Sequence, residues 1–175
     1  MSIEEIIQDD LHRYLLQLAE IDERMPECPD IEGKWKEIAE AYLPDGVREF
    51  AAYPTVSLGW MMFVGMAMGH FWDADWESYD KVDNLYLLLR DKRGFDTMDE
   101  YIVEEVLGLD QDQQTATSGL VAECASRTLS ALRAEGIEPG TTDAFRAYVA
   151  CLHQMYLFGA AIQLKRLGYH MTLIG

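Results

Sequence analysis

His70-Phe71-Trp72-Asp73-Ala74-Asp75-Trp76-Glu77 is the stretch of this chain richest in groups that could do chemistry. On a helix, His70 and Asp73 stand one turn apart and Glu77 stands two turns from His70, so one face would carry an imidazole and two carboxylates. Such a face suits a divalent cation, which helical bundles hold with ligands from facing helices. His153, midway along a second apolar segment, could complete the shell. The metal set predicted from spacing is therefore His70, Asp73, Glu77 and His153. No Glu-x-x-His pair accompanies it. The competing expectation is that Asp73 only orients His70 at a helix end and that His153 is a core histidine bonded to a carbonyl.

Other constellations are weaker. Asp73-x-Asp75-x-Glu77 fails as a calcium loop, because Ser78 stands where the turn glycine belongs and Asn84 where the bidentate glutamate belongs. Met61, Met62, Met66 and Met68 could offer thioethers to copper, but methionine is also an adaptable core filler. Aromatic side chains could line an apolar pocket, and Trp60, Phe63, Trp72 and Tyr156 are the predicted ligand-binding residues. No Gly-x-Ser-x-Gly and no glycine-rich phosphate loop occurs. Cys151 and His153 would lie roughly 200° apart around a helix and cannot face each other. Cys28, between Pro26 and Pro29, could be exposed, with Arg24 the one neighbour able to lower its pKa. No catalytic residue is assigned. No cofactor is predicted, a divalent metal being the one candidate.

The elements that would position these groups read as helices. Ser2 and Glu5 have capping-box spacing, and Ile3, Ile7, Leu11, Tyr14, Leu18, Ile21 and Met25 form one stripe, predicting a helix that ends at Pro26. Ile31, Trp35, Ile38 and Tyr42 predict a second, shorter helix, closed by Leu43-Pro44-Asp45-Gly46 as a turn. Residues 56–72 carry no charge, and neither do residues 147–164. Helices apolar all round must be buried all round, so 54–73 and 142–167 should form the centre. Gly65, Gly69, Gly159, Ala160 and Ala161 would let these two approach closely. Further helices are expected over 78–92, from a Thr97/Glu100 capping box onward, and from Asp110 to Leu132. The tail from Tyr169 to Gly175 is apolar and is expected to dock on the body. The fold class is all-α: a multi-helix bundle of six to eight helices around two buried apolar ones, in one domain over 1–175.

Composition bounds the function. With 14 basic and 31 acidic residues in 175, the formal charge is −17, which argues against binding a nucleic-acid backbone. The acidity is concentrated in residues 1–50 and 73–112, each net −9, whereas 113–175 is net +1. The uncharged runs are near the lower limit for a membrane span, but the first has no basic flank and contains His70 and three glycines, so no membrane insertion is expected. Three scattered cysteines and a start without a basic, apolar leader point to a cytoplasmic protein.

Three functions follow as expectations. The first is a non-enzymatic helical interaction module, homo-oligomeric through an apolar patch on the nearly neutral last third. The second is a metal- or small-ligand-binding bundle centred on His70, Asp73 and His153. The third is an acidic regulator docking on a basic partner protein through 73–112, with Asp99, Glu100, Glu104 and Glu105 among its contacts.

Overall fold

The computed structural model describes residues 1–170. Among these there are eight α-helices and no strand: α1 Ile3–Gln17, α2 Pro29–Gly33, α3 Trp35–Ala52, α4 Pro54–Tyr79, α5 Leu85–Arg93, α6 Met98–Tyr101, α7 Gln111–Ala134 and α8 Thr142–Arg166. A 3-10 turn, Phe95–Thr97, precedes α6, and a π turn, Ile102–Val106, follows it. The all-α class and the two buried central helices are as the sequence predicts.

The centre is the α4–α8 pair. Ser57 meets Tyr148, Gly65 meets Tyr156 and Gly69 meets Ala160, all at the same 91-residue offset, so the two helices run in the same direction. Their backbones touch. A Cβ on Gly65 would lie 2.1 Å from the Tyr156 carbonyl oxygen, and one on Gly159 would lie 2.2 Å from that of Met62. Only glycine fits at either place. Leu58, Met61, Met62, Val64, Met66, Ala67 and Met68 are sealed from solvent, so the methionines of α4 are core. Among the described residues, no helix is long and apolar enough to cross a membrane.

The other helices wrap this pair. α7 runs antiparallel to α8, with Thr128 against Met155 near one end and Thr117 against Arg166 at the other. α1 runs alongside α8 in the same direction, from a Glu4–Gln154 contact to an Ala19–Lys165 contact. Ile7, Leu11 and Leu15 fill the seam. The Ser2 cap on Glu5 N–H, the Asp110/Gln113 capping box and the Thr141 cap on Ala144 N–H start α1, α7 and α8. Thr97 makes no cap; its hydroxyl turns back to the Arg93 carbonyl.

Three segments depart from the predicted pattern. The first helix stops at Gln17 rather than Pro26. Ala19 adopts φ 58°, its N–H bonds the Leu16 carbonyl, and the Glu20 N–H reaches back to that of Leu15. This is a Schellman stop with alanine where glycine is usual. Gly168 (φ 97°) makes the same stop after α8, with Tyr169 N–H on the Leu164 carbonyl. The second departure is Leu43-Pro44-Asp45-Gly46, which lies inside α3 and is no turn. Gly46 is there for close packing: a Cβ would lie 2.5 Å from the Tyr42 ring and 2.7 Å from the Tyr148 hydroxyl. The helix predicted over 78–92 is also split, α5 beginning only after the Asn84 cap on Leu87 N–H. Of the tail, Tyr169 packs edge-on against Trp72 and donates its hydroxyl to Asp73. Residues 171–175 lie outside the described part.

Candidate functional site

Residues 18–28, released from α1 by the Ala19 stop, fold back across α8. His12 donates to the Glu23 carbonyl at 2.6 Å. Lys165 donates to the carbonyls of Ala19 (2.9 Å) and Ile21 (3.3 Å) and pairs with Asp22 at 3.3 Å. Arg166 reaches Glu20 at 3.4 Å. Ile21 is 1% exposed and anchors the segment in the core. These are the last basic residues of α8, so they satisfy its terminal dipole while holding the segment in place.

Between this segment and α8 lies a half-open cleft of about 410 Å³. Met25, Pro26, Cys28 and Pro29 form one wall, and Leu157, Ala160 and Leu164 of α8 form the other. Ile31 closes the side toward α2, where its carbonyl accepts the Tyr156 hydroxyl at 2.7 Å. Polar groups are few: Gln8, Gln154, Glu27 and Glu32. An apolar body with a handful of placed polar groups, at this size, is the ordinary form of a small-molecule site. Burial pushes the Cys28 thiol above its usual pKa, so it lines the cleft as a neutral, weakly polar group rather than as an activated nucleophile. Cys124 and Cys151 are buried, unpaired and pushed up to about 12.

One flank of the cleft is a polar cluster. His153 stacks on Trp35 at 4.9 Å, and its Nε2 is 2.8 Å from Glu32 while its Nδ1 is 3.4 Å from Glu4. Gln154 donates its amide to the same Glu4 oxygen at 2.9 Å. His153 is thus no carbonyl-bonded core residue. It joins α1, α2, α3 and α8 at the edge of the cleft.

The predicted metal set is not brought together. His70 packs against Phe71, Asp73 is bound by Tyr169, and Glu77 is exposed. The shared offset of α4 and α8 sets His153 level with Met62, eight residues from His70, or roughly 12 Å of helix rise. Asp75 also departs from helical geometry (φ −168°, ψ 71°), which turns Glu77 off the face that regular spacing would give. Among the described residues, no three His, Cys, Asp or Glu are grouped as a metal would require.

The predicted ligand-binding aromatics serve other contacts. Trp60 donates to the Phe95 carbonyl at 2.8 Å and packs edge-on against Phe63. Trp72 donates to Asp30 at 3.0 Å. Tyr156 alone touches the cleft's surroundings, through Ile31. Of the acids expected to dock a partner, Glu104 and Glu105 are already engaged by Arg93, at 2.7 and 3.2 Å. Burial raises the Asp99 carboxyl above its usual range.

Sequence reasoning missed one more cluster. Asp45 is 6% exposed and accepts from Tyr86 (2.7 Å), Arg90 (2.9 Å) and Arg48 (3.1 Å). Beside it, Ser57 donates to the Gly46 carbonyl and is bonded to Tyr148, while Tyr42 donates to the Ser57 carbonyl. With its polar groups mutually satisfied, this cluster ties α3 to α4, α5 and α8. Comparisons with protein-family models, curated proteins and solved structures found no match to this chain.

Proposed function

We propose that this chain is a helical binding module that holds a small, largely apolar molecule between residues 25–29 and α8. The observation that carries the reading is the cleft itself: about 410 Å³, half open, with apolar walls and two acids at its edge. Such surface is costly to leave hydrated, and an apolar guest would remove it from water. The wall is held by Lys165, Arg166 and His12, so the shape is set before a ligand arrives. Three free thiols suit a reducing compartment, and the reading assigns the protein to the cytoplasm.

The test uses the neutral apolar dye N-phenyl-1-naphthylamine. Its emission should rise on binding in a saturable, one-site manner, and Leu157→Trp should abolish this by filling the cleft. Leu157 is only half-buried, so the variant should keep its helical content and melting temperature. Equal dye binding by Leu157→Trp would contradict the reading.

A second reading is self-association. Val47, Tyr53 and Phe145 are 47%, 64% and 46% exposed, and all lie at the end of the molecule where Phe50 packs on Tyr148. A second copy covering this end would bury them. Light scattering would report a dimer that Tyr53→Lys dissociates, whereas a monomer at high concentration would remove the reading.

A further inference from the structure

On the reading that the cleft is a ligand site, the charges around it bear on which guest it takes. Its charged lining residues are both acids, Glu27 and Glu32. Among the described residues, no lysine or arginine lines it. Arg24 pairs with Glu27 at 3.7 Å and His153 with Glu32 at 2.8 Å, but neither side chain forms part of the wall. Glu4 adds a third carboxylate behind Gln154. Gln154 turns its amide nitrogen toward Glu4, which leaves its carbonyl oxygen as an acceptor. The whole chain carries −17, so the long-range field has the same sign.

A guest with a carboxylate or phosphate head would set like charge against Glu27 and Glu32 at the open edge of the cleft, which is unfavourable. A neutral guest would gain only the apolar walls. A guest with an ammonium head would gain the walls and a charge-assisted hydrogen bond as well. We propose that the cleft selects a cationic amphiphile: an apolar body seated between Met25, Leu157 and Leu164, with a protonated amine at Glu27 and Glu32.

The test compares octylamine, octanol and octanoate by calorimetric titration at neutral pH, on the full chain. These share an alkyl body and differ in the charge of the head. Octylamine should bind about tenfold more tightly than octanol, the equivalent of about 1.4 kcal/mol, with octanoate weakest. In Glu27→Gln/Glu32→Gln the preference for amine over alcohol should fall to near unity while octanol binding persists. Added salt should erode the preference without affecting octanol. Equal binding of amine and alcohol, or a preference surviving in the double variant, would overturn the cationic selection and leave the apolar site standing. Binding of none of the three, in a protein whose melting curve is intact, would overturn the site itself.

Discussion

Asp45 shows what a single side chain does in this fold. Its carboxylate is nearly sealed from water yet meets a phenol and two guanidinium groups, which is the condition under which a buried charge is tolerated. Asp45→Ala strands the buried Tyr86 hydroxyl, and chemical denaturation should show a loss of about 2–3 kcal/mol. Asp45→Asn retains an acceptor for Tyr86 and should lose less. Nothing in the sequence distinguishes this aspartate. Leu-Pro-Asp-Gly has the composition of a turn, and its partners Tyr86 and Arg90 are more than 40 residues away. The metal prediction failed to assemble for the mirror-image reason. Glu77 shares the face of His70 and Asp73 only if the helix stays regular, and Asp75, between Asp73 and Glu77, breaks that regularity. Local spacing is readable in a sequence, but which distant groups converge is not.

Helix starts were more legible than helix stops. Ser2, Asp110 and Thr141 cap by side-chain chemistry that is written in the residue type. The α1 stop depends on an alanine in the left-handed region, where residue type predicts nothing. The hydrophobic stripe ran on to Met25 because Ile21 and Met25 are indeed apolar and inward, though from a loop rather than a helix. The cleft was invisible for that reason: one of its walls is this loop. Ala19→Gly should relieve the left-handed strain of about 1–2 kcal/mol, offset by the backbone entropy of glycine at about 0.5–1 kcal/mol. A net gain of about 0.5–1 kcal/mol in denaturant stability should result, and a loss would mean the stop is not strained. The central pair was legible because uncharged helices can only be buried, and its glycines allowed the close approach. Gly65→Ala places a methyl on the Tyr156 carbonyl and should cost about 3 kcal/mol by thermal denaturation. Gly119→Ala on the open face of α7 meets nothing within 4 Å and should instead stabilise by about 0.5–1 kcal/mol.

At the scale of the molecule, three helices running one way, α1, α4 and α8, are held by α3 and α7 running back. The central helices take up most of the apolar side chains, and outside them apolar surface remains at the Val47, Tyr53 and Phe145 end and in the cleft beside α8. The position of the cleft follows from the fold: α1 ends early, so residues 18–28 cover the C-terminal part of α8, and they cover it incompletely. This gap is where we propose that a guest binds. Methyl-labelled methionine NMR tests it most directly, because Met25 lines the cleft whereas Met61, Met62, Met66 and Met68 are sealed in the α4 core. On addition of octylamine the Met25 methyl resonance should shift in a saturable manner while the four core resonances stay in place. A titration in which Met25 does not move, or in which all five move together, would contradict the account.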